Sequence, residues 1–316
     1  MDIDKDFSLT SVSGRIMMPA AGPSLLGPLA DLPGKWKGTG FNQIWRPFHG
    51  TQDRFLELNE TSETLEFMAI PGDIPNRGLL QADINLHGIH YLQQIADVNV
   101  KGPNGKPAGI HIEPGIWVNV PDTTNPADPT TVARLANIPH GTAMVAQGSA
   151  FPTLNGPPPP FAPASIVPFV IGNPAAQVPF PEQNLGVATT FRTPPADIPN
   201  VTQAMVNNPN VVLANGIAGK TITKTITFRV STVPLNPPSS GGGTSNIAFL
   251  AGAAGGPNAL AATVSATFWI ETFQVAGKKR PQLQLQYTQT VLLNFNGLSW
   301  PHVSVANLVK MEDDDD

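Results

Sequence analysis

Alternation with period two dominates the chain. In QLQLQYTQTVLLNFN (282–296), Leu283, Leu285, Tyr287, Gln289, Val291, Leu293 and Phe295 share one face of an extended segment, and the other face is mostly polar. TITKTITFRV (Thr221 to Val230) and TVSATFWIETF (Thr263 to Phe273) alternate in the same way. Earlier runs predict strands over Lys35 to Trp45, Arg54 to Met68, Gly78 to Ile84, His90 to Ala96, Gly109 to Val118, Val132 to Ile138 and Thr142 to Gln147. About ten strands joined mostly by short turns predict an all-β chain, a single antiparallel up-and-down β-barrel.

Composition adds long connections to this picture. The 34 prolines and 29 glycines make up about a fifth of the 316 residues. Proline lacks a ladder donor, so most of them belong outside central strands. Phe151 to Pro195, with PPPP at 157–160, reads as a long wrapped loop, and Pro234 to Ser245, with SSGGGTS, as a flexible one. A short helical pair is expected over Val201 to Gly216, with Asn200 and Asn208 as N-caps and Pro209 in the first position of the second helix. The expected organisation is one barrel domain over 1–310, carrying insertions at about 151–218 and 234–247, then an acidic tail over 311–316.

Charge and cysteine usage narrow the function classes. Charged residues are 13% of the chain, the net charge is −5 and basic residues do not cluster, which argues against nucleic acid or a polybasic membrane contact. No apolar run is long enough to span a bilayer as a helix. The absence of cysteine excludes disulfides, thiolate metal sites and thiol catalysis. The opening MDIDKDFSLT is acidic without an apolar core, so no secretory leader is expected and the cytoplasm is the expected compartment. Homo-oligomerisation through the insertions stays open.

Candidate chemistry concentrates in GIHIEPGIWV (109–118). His111, Glu113, Gly115 and Trp117 fall at every second position and share a face, either as a cavity wall or as a rim where His111 bonds Glu113. His87 and His90 stand three apart, on opposite faces of a strand, so a shared zinc would need a turn at Gly88. His140 in IPHGT either decorates a turn or faces the ligand. Arg46, in WRP, either pairs with a ligand carboxylate or closes the barrel end. No G-x-S-x-G elbow, H-E-x-x-H or P-loop is present, and KGTGFNQ lacks the third glycine of a dinucleotide fingerprint.

Three segments carry a family resemblance. GPLADLPGKWKGTG contains Pro28, Leu29, Leu32, Gly34, Trp36, Gly38 and Gly40 in the spacing P-L-x-x-L-x-G-x-W-x-G-x-G. It resembles the opening of the nitrobindins, small haem-binding barrels shaped like fatty-acid-binding proteins and lipocalins. His111 to Trp117 is similar to that family's H-x-E-x-G-x-W strand, IPHGTAMVAQG (138–148) to its next strand, and Tyr287 to His302 to its last strands. The resemblance implies haem b held by His302 as the axial metal ligand, with His111, Ile110, Trp36 and Arg46 around the cofactor. It also implies handling of nitric oxide, peroxynitrite or peroxide and, in an enzyme, isomerisation of peroxynitrite to nitrate. The alternative is a metal-free carrier of a fatty acid or another small apolar molecule, whose polar end is fixed by Arg46 or by His111 and Glu113.

Overall fold

The computed structural model describes residues 25–253, 256–275, 277–278 and 280–312. The acidic opening stretch and the last four aspartates lie outside them. Among the described residues thirteen strands follow in chain order: β1 (Gly34–Pro47), β2 (Arg54–Ala69), β3 (Ile74–Asn76), β4 (Ile84–Lys101), β5 (Pro107–Val120), β6 (Thr131–Ile138), β7 (Thr142–Ala150), β8 (Phe169–Val170), β9 (Thr221–Ser231), β10 (Gly243–Asn246), β11 (Leu260–Gln274), β12 (Gln282–Phe295) and β13 (Leu298–Lys310). Ten of them form a closed antiparallel barrel in the order β1-β2-β4-β5-β6-β7-β9-β11-β12-β13. Pairing of β1 with β13, from Trp36 opposite Lys310 to Gln43 opposite Val303, closes the ring. The short β3, β8 and β10 pair onto its strands.

Some expectations move. The strand expected over Gly78 to Ile84 is instead a connection, held by Arg77 on Asp83 and by the Gly78 N–H on the same carboxylate at 3.1 Å. Its Leu79 and Leu80 both face solvent, so the pair never alternated. Gly88 makes no turn: β4 runs straight through it, and glycine suits the position because a Cβ there would meet the Trp117 carbonyl oxygen at 2.6 Å. Part of the glycine-rich segment is ordered as β10, which pairs with Thr142 to Val145 of β7. The helices α1 (Gln203–Asn207) and α2 (Val211–Ile217) form, but α1 is capped by Thr202, whose hydroxyl accepts the Met205 N–H, rather than by Asn200. Asn210 holds the N-cap position of α2, and the Asn208 side chain bonds its N–H at 3.2 Å.

Inside the barrel, one end is filled. A 3₁₀ turn at Gly27–Leu29 brings Leu29 and Leu32 against Trp36, and the Trp36 indole donates to the Leu32 carbonyl at 2.8 Å. Leu65, Phe67, Trp117, Phe228, Phe268 and Leu308 continue this apolar core. A second apolar cluster lies outside the ring. Phe41, Trp45, Leu56, Leu58, Val303 and Val305 point away from the interior, where the insertion covers them with Ile166, Ile198, Val201, Val206 and Leu213. Outward amides tie down its backbone: Gln43 donates to Met205 O, Gln286 to Leu213 O and Asn307 to Val212 O. The Arg192 guanidinium gathers the carbonyls of Glu182, Asn184 and Val187, ordering a segment that has little regular structure. The proline-rich chain is a belt on the barrel wall.

Candidate ligand-binding cavity

Opposite the Trp36 plug the barrel holds a cavity of about 340 Å³. Along β1, Trp36, Gly38, Gly40, Asn42, Ile44 and Arg46 face inward in turn, and the cavity begins at Asn42. Ile44, Ile95, Ile138, Val291 and Leu293 give it apolar walls. Arg46 stands at the mouth, half-exposed, with its Nε 2.9 Å from Glu57 Oε2 and its guanidinium over the Phe55 ring.

His302 is positioned by β13, in register with Val291 of β12. Its Nε2 lies 2.7 Å from Asn42 Oδ1 and 3.3 Å from Ser304 Oγ, and the Ser304 hydroxyl donates to the same Asn42 oxygen at 2.8 Å. Burial, reinforced by the nearby His111 and His140, pushes its pKa down to about 3. His302 is therefore a neutral imidazole at physiological pH.

The wall across the ring carries the other two imidazoles; β5 lies four places from β13 around the ten strands. Register between β4 and β5 jumps from Ile95–His111 to Ala96–Gly109, leaving Ile110 unpaired as a β-bulge. That extra residue lets the adjacent Ile110 and His111 both line the cavity. His140, in the β6–β7 turn beside Gly141 (φ +114°), places its Nε2 3.4 Å from His111 Nδ1. Burial and then His111 lower its pKa, against a bond to the Ile110 backbone.

Beneath the cavity lies a layer of buried charge. Arg134 of β6 donates through Nε to Tyr91 OH at 2.8 Å and through Nη1 to Gln289 at 2.7 Å, and pairs with Glu113 through Nη2. Tyr91 also donates to Glu113, and His111 Nε2 is 3.4 Å from its second oxygen. Burial works to raise the Glu113 pKa, but Arg134 and these bonds outweigh it and hold the carboxylate at about 2. Beside it Glu63 accepts Gln93 Nε2 at 2.7 Å and Tyr287 OH at 2.8 Å. With no full charge paired directly to it, burial pushes Glu63 up to about 7. Gly115 makes room for this layer, since a Cβ there would sit 2.5 Å from the Tyr91 ring.

His302, His111, Ile110 and Arg46 thus come together around one cavity. Trp36 does not join them: six residues of strand, roughly 20 Å, separate it from Asn42, and its ring is spent on the plug. His87 and His90 both sit on the uninterrupted β4; His87 Nδ1 lies 3.6 Å from Asp73. Among the described residues no group of three or more His, Asp or Glu is placed to hold a metal ion. Asn42, Asn59, Asp97, Arg134 and Glu63 escaped the sequence, because their partners are set only by the register between strands. A polar residue on the inward parity of an apolar face was their only signal.

Fold and site together define a closed ten-stranded antiparallel β-barrel with an internal cavity, an architecture compatible with small-molecule binding. Among the described residues no helix is long and apolar enough to cross a membrane. No family model matches the chain, and no curated protein matches it. Among solved structures, the crystal structure of Rv2717c from M. tuberculosis aligns over 93% of this chain and 99% of its own, at 14% identity and a TM-score of 0.37.

Proposed function

We propose that the cavity binds haem b, with His302 as the ligand to iron. One observation carries this reading: His302 is a neutral imidazole in a largely apolar wall, with one ring nitrogen already engaged by Asn42. Metal-bound histidines commonly donate their second ring N–H to such an outer partner, which fixes the ring and raises its basicity. A bound haem iron supplies an open coordination position for nitric oxide or a peroxide-type oxidant. The protein's share is to hold the imidazole, keep water out with Ile44, Ile95 and Ile110, and present His111 and His140 from the facing wall. A propionate at the mouth would meet Arg46, which is paired with Glu57. Titration of the purified protein with hemin is expected to give a shifted Soret band that saturates. His302→Ala abolishes the shift and His87→Ala keeps it. An absent shift, or one that survives His302→Ala, overturns the proposal.

The cavity volume favours a second reading. About 340 Å³ is near the small end of ligand pockets, suited to a fatty acid or another small apolar molecule whose polar end meets Arg46. Denaturing mass spectrometry of the protein as isolated separates the two: a co-purifying lipid with no porphyrin supports the carrier.

A further inference from the structure

Four neighbouring strands carry a run of side chains whose hydrogen-bond polarity is set at one end. Asn59 of β2 places its amide nitrogen 2.8 Å from Asp97 Oδ2 of β4 and 3.2 Å from Glu57 Oε1. Carboxylates only accept, so this end of Asn59 is its NH2 group and the opposite end is its carbonyl oxygen. That oxygen accepts Asn42 Nδ2 of β1 at 2.9 Å. The Asn42 oxygen is thereby turned toward β13, where it takes Ser304 Oγ at 2.8 Å and His302 Nε2 at 2.7 Å. An oxygen facing Nε2 requires that nitrogen to carry the proton. The run is anchored, because Asp97 is buried and also accepts the Asn99 backbone N–H at 2.8 Å.

We propose that Asn42 is a positioning residue, and that the run Asp97–Asn59–Asn42 fixes His302 as the Nε2–H tautomer and leaves Nδ1 as its lone-pair nitrogen. Orientation of the ring is then decided at the far end of the chain of amides, two strands from His302. Ser304 shares the Asn42 oxygen but does not set the tautomer, since its hydroxyl can rotate to donate or accept.

Long-range ¹⁵N–¹H correlation on ligand-free, ¹⁵N-histidine-labelled protein tests this without haem. The expected spectrum has His302 protonated on Nε2, unprotonated on Nδ1, with an Nε2 proton that exchanges slowly with water. Asn42→Leu removes the acceptor and the slowly exchanging proton is lost. Asn42→Asp restores an acceptor and keeps it, with the His302 titration midpoint moved up, and Ser304→Ala leaves the tautomer unchanged. An Nδ1–H tautomer in the unsubstituted protein overturns the inference, and so does an Nε2 proton indifferent to Asn42→Leu. Should Asn42→Leu fail to fold, the unsubstituted protein and Asn42→Asp still decide. Failure to bind hemin at all sinks the haem reading while the tautomer result stands.

Discussion

Replacing Glu63 by glutamine is expected to remove a pH dependence of stability that this one carboxyl imposes. Glu63 is 3% exposed, and burial lifts its pKa from the ordinary 4.5 to about 7. Between those values the folded protein holds a proton that the unfolded chain has released, so stability falls as pH rises. Its contribution is fully present below about pH 4.5 and lost once pH has passed through about 7. At about 1.4 kcal/mol per pH unit, the window amounts to roughly 3 kcal/mol. Glutamine is neutral at every pH, is close in shape, and can still bond Gln93 and Tyr287. Urea unfolding of both proteins at about pH 5 and about pH 8 gives the comparison, with m-values checked for two-state behaviour. The variant is expected to gain on the unsubstituted protein by about 2–3 kcal/mol between the two conditions. An equal stability difference at both pH values refutes the assignment of a neutral Glu63 to the barrel floor.

Two further outcomes follow from the same layer. Arg134→Met leaves Glu113 buried without its cation and is expected to cost about 3–5 kcal/mol; adding Glu113→Gln recovers much of the loss, and chemical denaturation of the single and double variants measures it. Gly115→Ala places a Cβ against the Tyr91 ring, since the gap is only 2.5 Å. The expected loss is about 1–3 kcal/mol, with a changed near-ultraviolet dichroism reporting the displaced ring.

Alternation made nine of the ten barrel strands legible, because each has an inward apolar face that water would penalise. It failed over Gly78 to Ile84, where two adjacent leucines at a loop tip mimic a strand while both face solvent. On β1 the apolar residues Phe41 and Trp45 sit on the opposite parity from Trp36 and Ile44. A strand apolar on both faces needs cover on both, and that irregularity was the trace of the belt. At the site, parity put His111 and Glu113 on one face. Their division of labour was not legible: Glu113 is claimed by Arg134 of β6, and Ile110 reaches the cavity only through a bulge. His302 was singled out by its resemblance to a family's last strand; its partner Asn42 lies 260 residues away and no local pattern links them.

The belt also bears on the order in which the barrel comes apart. Its first and last strands meet at a seam joining residues near 40 to residues near 305, the most sequence-distant pairing in the ring and the costliest in chain entropy to close. Phe41, Trp45, Val303 and Val305 flank that seam on the outside, directly beneath the insertion. A barrel that unzips at this seam has to peel the cover first, so the insertion is expected to act on the lifetime of the folded state more than on the shape of the cavity. A proteolytic nick in the belt is expected to leave every barrel strand intact and to quicken unfolding.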